Sequence, residues 1–311
     1  MAVLRFLYVL VGCSVGCSLM GQSVDSLKEN KKPIKTYFFK NSLSVRNAVL
    51  QTGYSMHKSE IKSADTLPFR NGWTLTFFDN FDSLDTKKWR KGQAWGEFHP
   101  DYLHQYYSSA EIQTKGGYLY LGGAYSPKTF VKNDTTSYTI PYAVGIINSD
   151  ISFSQKYGYF EIRSKNPMGA ATWPAFWLTG AHRWPPEIDI FEMYGKKGAG
   201  TIHNQYATIH WGKAGKKSRG YLTKKINLPN NTDTVFHVYG CEWNPQFIKF
   251  YTDGKLVRYI RVNKRLRKWL NDEMVLIINN SFDHRYLQYL PPGFKRNEFV
   301  VDWVRVYRRN D

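Results

Sequence analysis

The sequence has few cysteines, few acidic residues and, beyond its first twenty positions, no long apolar run. Its three cysteines, Cys13, Cys17 and Cys241, are too few to build a disulfide scaffold. No later stretch approaches the roughly 20 apolar residues that a membrane-spanning helix requires, which argues against an integral membrane protein. We find no internal repeat, no glycine-rich phosphate loop and no metal-ligand cluster of recognisable spacing.

Basic residues outnumber acidic ones, since the 311 residues include 43 Lys and Arg against 25 Asp and Glu, a formal net charge of +18. Such a charge ordinarily suggests nucleic acid or another polyanion. No nucleic-acid-binding motif accompanies it, so we predict no nucleic-acid partner. The densest basic run, Arg258 to Lys268, has three interpretations: a solvated face, attraction to a sulfated or carboxylated polysaccharide, and contact with a membrane or cell surface.

Residues 1–21 have the layout of a secretory signal, with Arg5 ahead of an apolar stretch that is followed by small residues. The tetrapeptides that end at Cys13 and Cys17 each resemble the lipobox of bacterial lipoproteins. Ordinary cleavage near Gly21 is one alternative, and a buried apolar terminal helix is another. We expect an exported protein that is periplasmic, anchored to the outer membrane by lipid, or secreted.

The remaining chain divides near residue 70. Residues 22–70 are rich in Lys, Ser and Asn and are predicted to form an N-terminal extension or linker. Residues 71–311 contain short runs of aromatic and β-branched residues between Gly, Asn, Asp and Pro, which predicts one all-β sandwich domain. Asp253-Gly254 predicts a tight hairpin turn between two of these runs. We expect a monomer with a jelly-roll β-sandwich. The predicted strands include Trp73–Phe78, Tyr118–Leu121, Tyr157–Arg163, Phe247–Tyr251, Met274–Ile278 and Phe299–Tyr307.

Three carboxylates interrupt an apolar run at Glu187, Asp189 and Glu192. In a strand, side chains alternate between faces, so Glu187 and Asp189 share one face and Glu192 falls out of phase. A β-bulge after Asp189 would add one residue and return Glu192 to the face of the other two. The pattern therefore predicts a bulged strand with three clustered carboxyl groups.

Such a cluster suits a retaining glycosidase, in which two carboxyl groups about 5–5.5 Å apart act as nucleophile and as general acid and base. Crowded like charges raise at least one pKa, which keeps one carboxyl protonated near neutral pH. From these residues alone, a cation site and an exposed acidic edge stay open as alternatives.

The acidic strand, Glu187-Ile-Asp189-Ile-Phe-Glu192, resembles the Glu-x-Asp-x-x-Glu signature of glycoside hydrolase family 16 in the bulged form of laminarinases and agarases. Other segments resemble family strands in the same order and extend the resemblance from about Trp73 to Arg308. They are Tyr157-Gly-Tyr-Phe-Glu161-Ile-Arg163, Thr172-Trp173-Pro-Ala-Phe-Trp177, Phe236-His-Val-Tyr-Gly-Cys-Glu-Trp243 and Val301-Asp302-Trp-Val-Arg-Val-Tyr307.

The resemblance implies a concanavalin A-like jelly roll with an open substrate cleft on its concave face. It makes Glu187 the nucleophile, Glu192 the acid and base, and Asp189 the residue that tunes the nucleophile. The other implied substrate-binding residues are Glu161, Arg163, Trp173, Trp177, Trp184, His210, Trp211 and Asn279. The alternative for each tryptophan is core packing, and for Glu161 and Arg163 it is a surface ion pair.

The resemblance implies a retaining, endo-acting hydrolase of internal β-linkages in a polysaccharide, and we predict a β-1,3- or mixed-linkage glucan. A sulfated galactan of the porphyran, carrageenan or agar type and non-catalytic carbohydrate binding are the alternatives. No organic cofactor and no catalytic metal are implied. Two positions depart from the family pattern. Asn80 stands where calcium-binding members carry a glutamate, which weakens the case for a structural calcium. Pro185-Pro186 precede Glu187, where many members carry glycine.

Overall fold

The computed structural model describes residues 72–99, 101–133, 136–167, 169–196, 204–213, 220–228 and 232–310. All of them belong to the predicted sandwich domain. The predicted signal (1–21) and the predicted extension (22–70) lie outside the described residues.

The described residues form two antiparallel β-sheets with one parallel strand pair. The first sheet, named the cleft sheet here, has seven strands in the spatial order β12-β11-β10-β9-β16-β7-β2. Its strands are β2 (Arg90–Lys91), β7 (Ile146–Asn148), β9 (Thr172–Gly180), β10 (Glu187–Glu192), β11 (Asn204–Trp211), β12 (Gly220–Asn227) and β16 (Met274–Phe282).

The second sheet, named the outer sheet, has ten strands, eight of them in the order β15-β14-β13-β8-β17-β5-β6-β3, with β1 paired to β17 and β4 paired to β5. Its strands are β1 (Trp73–Asp79), β3 (Gln105–Tyr107), β4 (Ile112–Lys115), β5 (Tyr118–Asn133), β6 (Thr136–Val144), β8 (Gly158–Lys165), β13 (His237–Trp243), β14 (Phe247–Thr252), β15 (Lys255–Arg261) and β17 (Arg296–Arg309).

One apolar core fills the space between the sheets. It includes Phe160 and Ile162 from β8 of the outer sheet and Ile188 and Ile278 from β10 and β16 of the cleft sheet, all with no exposed surface. Because side chains alternate along a strand, the intervening residues point away from this core. The alternation decides which predicted site residues can meet in the cleft.

The predicted hairpin is confirmed, because β14 and β15 pair up to Thr252 and Lys255 around Asp253 and Gly254. These two residues have φ angles of 49° and 73°, as a two-residue turn with positive φ at both positions requires. Within the described residues the helical parts are short: α1 (Lys264–Trp269) and two 3₁₀ helices, Ser109–Glu111 and His284–Tyr289. The predicted all-β class is confirmed.

No helix in the described part of the chain has the length and apolarity to span a membrane.

The basic run from Arg258 to Lys268 covers the end of β15 and helix α1, at one edge of the outer sheet. Arg258 is buried, and its guanidinium donates hydrogen bonds to the backbone carbonyls of Ala207 and Leu222. Those carbonyls belong to β11 and β12, so Arg258 ties the edges of the two sheets together. Its charge does not belong to a solvated basic face.

Candidate active site

Strand β10 carries the three carboxylates, and its pairing contains the predicted bulge. Against β11, Asp189 pairs with Thr208 and Glu192 with Tyr206, so three steps along β10 match two along β11. Ile190 and Phe191 are both buried in the core. This extra inward residue returns Glu192 to the face of Glu187 and Asp189, as the sequence predicted.

Each outer glutamate of the cluster accepts hydrogen bonds from aromatic side chains. The Trp184 indole N–H donates to Glu187 Oε2 at 2.8 Å. The Trp173 indole N–H and the Tyr194 hydroxyl both donate to Glu192 Oε1, at 3.1 and 2.8 Å. Because these donors fix the carboxyl planes, the two glutamates have defined orientations in the cleft.

His210 connects the nucleophile position to the central carboxylate. It lies directly across from Glu187 in the pairing of β10 with β11. Its Nε2 is 3.3 Å from Glu187 Oε1 and 3.3 Å from Asp189 Oδ2. One imidazole therefore faces two buried carboxyl groups.

All three carboxyl pKa values are raised. Burial, followed by the charge of Asp189, raises the pKa of Glu187 to about 8, and His210 and Trp184 act in the opposite direction. Burial and the charge of Glu192 raise the pKa of Asp189. Burial also raises the pKa of Glu192, although Tyr194 and His210 oppose it. The cluster therefore retains a proton at neutral pH, which a general acid requires.

Trp177 and Asn279 extend the polar surface across β9 and β16. The Trp177 indole N–H donates to Asn279 Oδ1 at 2.7 Å, and Asn279 Nδ2 donates to Ser281 Oγ at 3.0 Å. Trp177 pairs with Asp189 across β9 and β10 and therefore points to the cleft face. Of the predicted site residues, the structure brings together Glu187, Asp189, Glu192, Trp173, Trp177, Trp184, His210 and Asn279.

Glu161 and Arg163 do not lie in the cleft. They are on β8 of the outer sheet and alternate with Phe160 and Ile162, which point into the core. They therefore point to the opposite face of the sandwich, where Arg163 forms an ion pair with Asp302. The prediction that they contact sugar in the cleft is wrong. The two-residue alternation of a strand shows that both side chains lie on one face, but it does not show which sheet contains the strand.

Trp211 also departs from its prediction. It follows the cleft-facing His210 on β11 and packs against the apolar core, with its indole beside Gly220. A side chain at Gly220 would overlap this ring, since a built Cβ lies 2.4 Å from it. Trp211 is a packing residue, which was the alternative considered for each tryptophan.

Two residues that the sequence reasoning missed contribute to the cluster. Tyr194 is two positions after Glu192, and period-two alternation could have found it. Tyr102 comes from the loop before β3, and the carboxyls of Glu187 and Glu192 are among the causes that raise its pKa, after burial. No local pattern points to Tyr102, because only the fold brings its loop over β10.

In the described part of the chain, one cluster has ligand atoms close enough to hold a metal ion: those of Glu187, Asp189 and His210 lie within 4.8 Å of one another. For structural calcium, the aspartates to test are Asp79, which precedes Asn80, and Asp302, and both already have protein partners. Asp302 is paired with Arg163, and the Asp79 carboxylate accepts hydrogen bonds from the Trp89 indole and the Phe81 amide, both at 2.8 Å. An arginine that occupies one ligand disfavours a second cation there.

Comparison with known proteins decides the family. A family model described as "Beta-porphyranase A-D, GH16 domain" matches residues 74–309. The chain belongs to glycoside hydrolase family 16. The predicted family and enzyme class are therefore confirmed, and the protein is a retaining glycoside hydrolase that acts on a polysaccharide.

Relatives of this family 16 hydrolase cover most of its length. A beta-glucanase of Rhodothermus marinus is 31% identical over 263 residues, which are 76% of this chain and 85% of the relative. A keratan-sulfate endo-1,4-beta-galactosidase of Sphingobacterium multivorum is 26% identical over 289 residues, 86% of this chain and 63% of the relative. The catalytic domain of an endo-1,3-beta-glucanase (laminarinase) from Thermotoga petrophila RKU-1 superimposes with a TM-score of 0.62 at 25% identity, covering 77% of this chain and 99% of that domain.

Proposed function

We propose that the protein cleaves internal linkages of a β-1,3- or mixed-linkage glucan. The observation that carries the proposal is the bulged strand β10, which places three buried carboxyl groups on one face beside Trp173, Trp177 and Trp184. Aromatic rings stack on the apolar faces of neutral sugars without requiring a charge. The beta-glucanase and laminarinase relatives support the same substrate class.

In the first step, Glu187 attacks the anomeric carbon and Glu192 protonates the departing oxygen. Glu192 Oε1 accepts two hydrogen bonds, from Trp173 and Tyr194. An oxygen that accepts two donors carries no proton itself, so the transferable proton of Glu192 resides on Oε2. Trp184 holds the opposite glutamate by its own hydrogen bond, which fixes the direction of attack.

In the second step, Glu192 acts as a base and activates a water molecule that releases the glycosyl-enzyme. Asp189 and His210 both face Glu187: Asp189 raises the pKa of Glu187, and His210, whose Nε2 lies 3.3 Å from Glu187 Oε1, lowers it. Together they tune the ionisation of the nucleophile. No step requires an organic cofactor.

Assays on laminarin, mixed-linkage glucan, agarose, porphyran and carrageenan test the substrate, with Glu187→Gln as the control. We expect oligosaccharide release from a neutral β-glucan and, by proton NMR of the first product, a β anomer at the new reducing end. An α anomer formed first, or near wild-type hydrolysis by Glu187→Gln, would refute the mechanism.

Azide distinguishes the roles of the two glutamates. In Glu187→Ala, azide takes the place of the nucleophile and should give a glycosyl azide of inverted configuration. In Glu192→Ala, azide attacks the glycosyl-enzyme and should give the retained configuration, given a substrate with a good leaving group. The reverse assignment of products would exchange the two roles.

A sulfated galactan is the second candidate, because cations lie beside the Glu192 end of the cluster. The Arg285 guanidinium is 5.5 Å from the Tyr194 ring and pairs with Asp283, and the Lys196 ammonium is 6.0 Å from the Tyr206 ring. The matched porphyranase model and the keratan-sulfate-cleaving relative also favour this substrate class.

Salt separates the two substrate classes. Contacts between cations and sulfate weaken as ions screen them, whereas stacking on a neutral glucan does not. The galactan would be favoured if oligosaccharides are released only from porphyran or carrageenan. Their release should then fall as salt rises from low to physiological concentration, and it should fall further in Lys196→Ala. Salt-independent release from laminarin would favour the glucan.

We further propose that the enzyme is exported and that Cys13 or Cys17 carries a lipid anchor, on the basis of residues 1–21. Metabolic labelling with a radioactive fatty acid in a bacterial host tests this. If the fatty-acid label is lost in Cys13→Ser or in Cys17→Ser but not in the other variant, the substituted cysteine is the acylated one. Unlabelled protein in the medium would instead indicate ordinary secretion.

A further inference from the structure

A second pocket lies away from the catalytic carboxylates, between the β5–β6 pair and the segment that follows the 3₁₀ helix His284–Tyr289. Its volume is about 350 Å³, which is within the range of small-ligand sites. The side chains that define its character are Tyr125, Tyr142, Leu287, Leu290, Phe294 and Lys295.

The aromatic rings of the pocket are held in fixed orientations. The rings of Tyr125 and Tyr142 are 5.7 Å apart at 68°, and Tyr142 packs on Phe282 at 4.7 Å. Phe282 in turn contacts Phe294 at 5.8 Å with nearly perpendicular rings. The Tyr125 amide donates to the Lys295 carbonyl at 2.9 Å, which joins the two sides of the rim. The walls are therefore built before any ligand binds.

The exposed part of the pocket is aromatic, with a cation at its rim. Tyr125 is 56% exposed, so much of its ring is accessible to a ligand. Lys295, across from it, is exposed and can donate hydrogen bonds. A flat ring that can stack beside hydrogen-bond donors is the chemistry that recognises a pyranose.

The pocket is close to the cleft. Phe282 beneath it is the last residue of β16, and Asn279 of the cleft is three residues earlier, about 10 Å along the strand. The 3₁₀ helix between the two sites presents Arg285 to Tyr194 on the cleft side and Leu287 to the pocket. A polysaccharide that leaves the cleft over this helix would reach the pocket.

We propose that this pocket is a second carbohydrate-binding site, which takes one or two pyranose rings of the polysaccharide and stacks one of them on Tyr125. The identity of the ligand rests on the proposed function, since the ligand is the substrate class of the cleft. The pocket contains no paired carboxylates, so it binds the chain and does not cleave it. Its effect is to hold a long or insoluble substrate beside the catalytic site.

Calorimetric titration of the Glu187→Gln protein with laminaritetraose and with a porphyran tetrasaccharide tests the site without turnover. We expect two equivalents of one of these ligands to bind, and only one in Glu187→Gln/Tyr125→Ala, with the second site weakened at least about tenfold. Tyr259→Ala, in which a 54% exposed tyrosine on β15 is removed, is the matched control and should retain two equivalents.

One equivalent in the Glu187→Gln protein, or two in the Tyr125→Ala double variant, would overturn the second site. Either result leaves the proposed function intact, because hydrolysis by the wild-type enzyme tests that separately. Thermal unfolding of each variant establishes that the change in stoichiometry does not come from misfolding.

Discussion

The Tyr194 hydroxyl donates a hydrogen bond to the Glu192 carboxyl at 2.8 Å. The bond joins two residues that alternate on the same face just after the bulge, and the Trp173 indole donates to the same oxygen. These two donors favour the carboxylate form of Glu192, while burial favours the protonated form. The balance between them sets the pH at which the proposed general acid loses its proton.

Tyr194→Phe should extend the activity to higher pH. Its hydroxyl lowers the pKa of Glu192, so its removal raises that pKa, and the alkaline limb of kcat/KM moves upward because the acid stays protonated longer. The measurement is the pH profile of kcat/KM on a soluble oligosaccharide. Tyr221→Phe, whose ring lies 6.2 Å from the ring of His210, is the control and should keep the wild-type limb. An alkaline limb that moves downward would show that Tyr194 does not act through Glu192.

His210→Leu should shift the acidic limb of the same profile upward. His210 lowers the pKa of Glu187, and its removal leaves the nucleophile protonated to a higher pH. Because the nucleophile must be ionised, activity then begins at a higher pH. His182→Leu, which removes an imidazole bound to Asp272 at 2.7 Å, is the matched control. Equal acidic limbs in both variants and the wild type would contradict the role given to His210.

Trp177 and Trp211 should respond differently to truncation, although the family resemblance implies substrate binding for both. Trp177→Ala removes a ring from the cleft face and should raise KM about tenfold or more, because roughly 1.5–3 kcal/mol of apolar contact is lost. Trp211→Ala should lower the free energy of unfolding by about 1 kcal/mol or more and leave KM near the wild-type value, because its ring packs against the core. Kinetics and denaturant unfolding of both variants provide the comparison. A raised KM in a stably folded Trp211→Ala would contradict the assignment.

Glu187→Gln should stabilise the fold at alkaline pH while it abolishes activity. The pKa of Glu187 rises from 4.5 to about 8 on folding, so the native state holds more protons than the unfolded state between these values. The contribution of Glu187 to wild-type stability therefore falls as pH rises through this window, and it is smallest above about pH 8. A glutamine carries no charge and escapes this loss.

Thermal unfolding at pH 4 and pH 9 measures the effect. At pH 9 the melting temperature of Glu187→Gln should exceed that of the wild type by about 2–4 °C for each kcal/mol of unfolding free energy that the substitution restores. At pH 4 this excess should shrink. Glu298→Gln removes a carboxylate whose side chain is 41% exposed and should show no such dependence. A Glu187→Gln excess that is the same at both pH values would contradict a raised pKa.

The all-β class, the family and the bulged acidic strand can all be predicted from the amino-acid sequence. These follow from local patterns: short β-rich runs, the Asp253-Gly254 turn, and a carboxylate spacing that only one inserted residue can bring into phase. Each depends on residues that are neighbours in the chain, where alternation and turn chemistry act directly.

The assignment of each strand to a sheet, and therefore the set of residues that meet, depends on how the whole chain folds. Glu161 and Arg163 have the same local pattern as cleft residues, but β8 pairs with β13 and β17 in the outer sheet and points them away. Tyr102 lies near the carboxylates although its loop is distant in sequence, and Arg258, the first residue of the basic run, is buried against two carbonyls. Strand pairing joins segments that are far apart in sequence, so a side chain's neighbours across the sheet are fixed by the fold and not by its own local pattern.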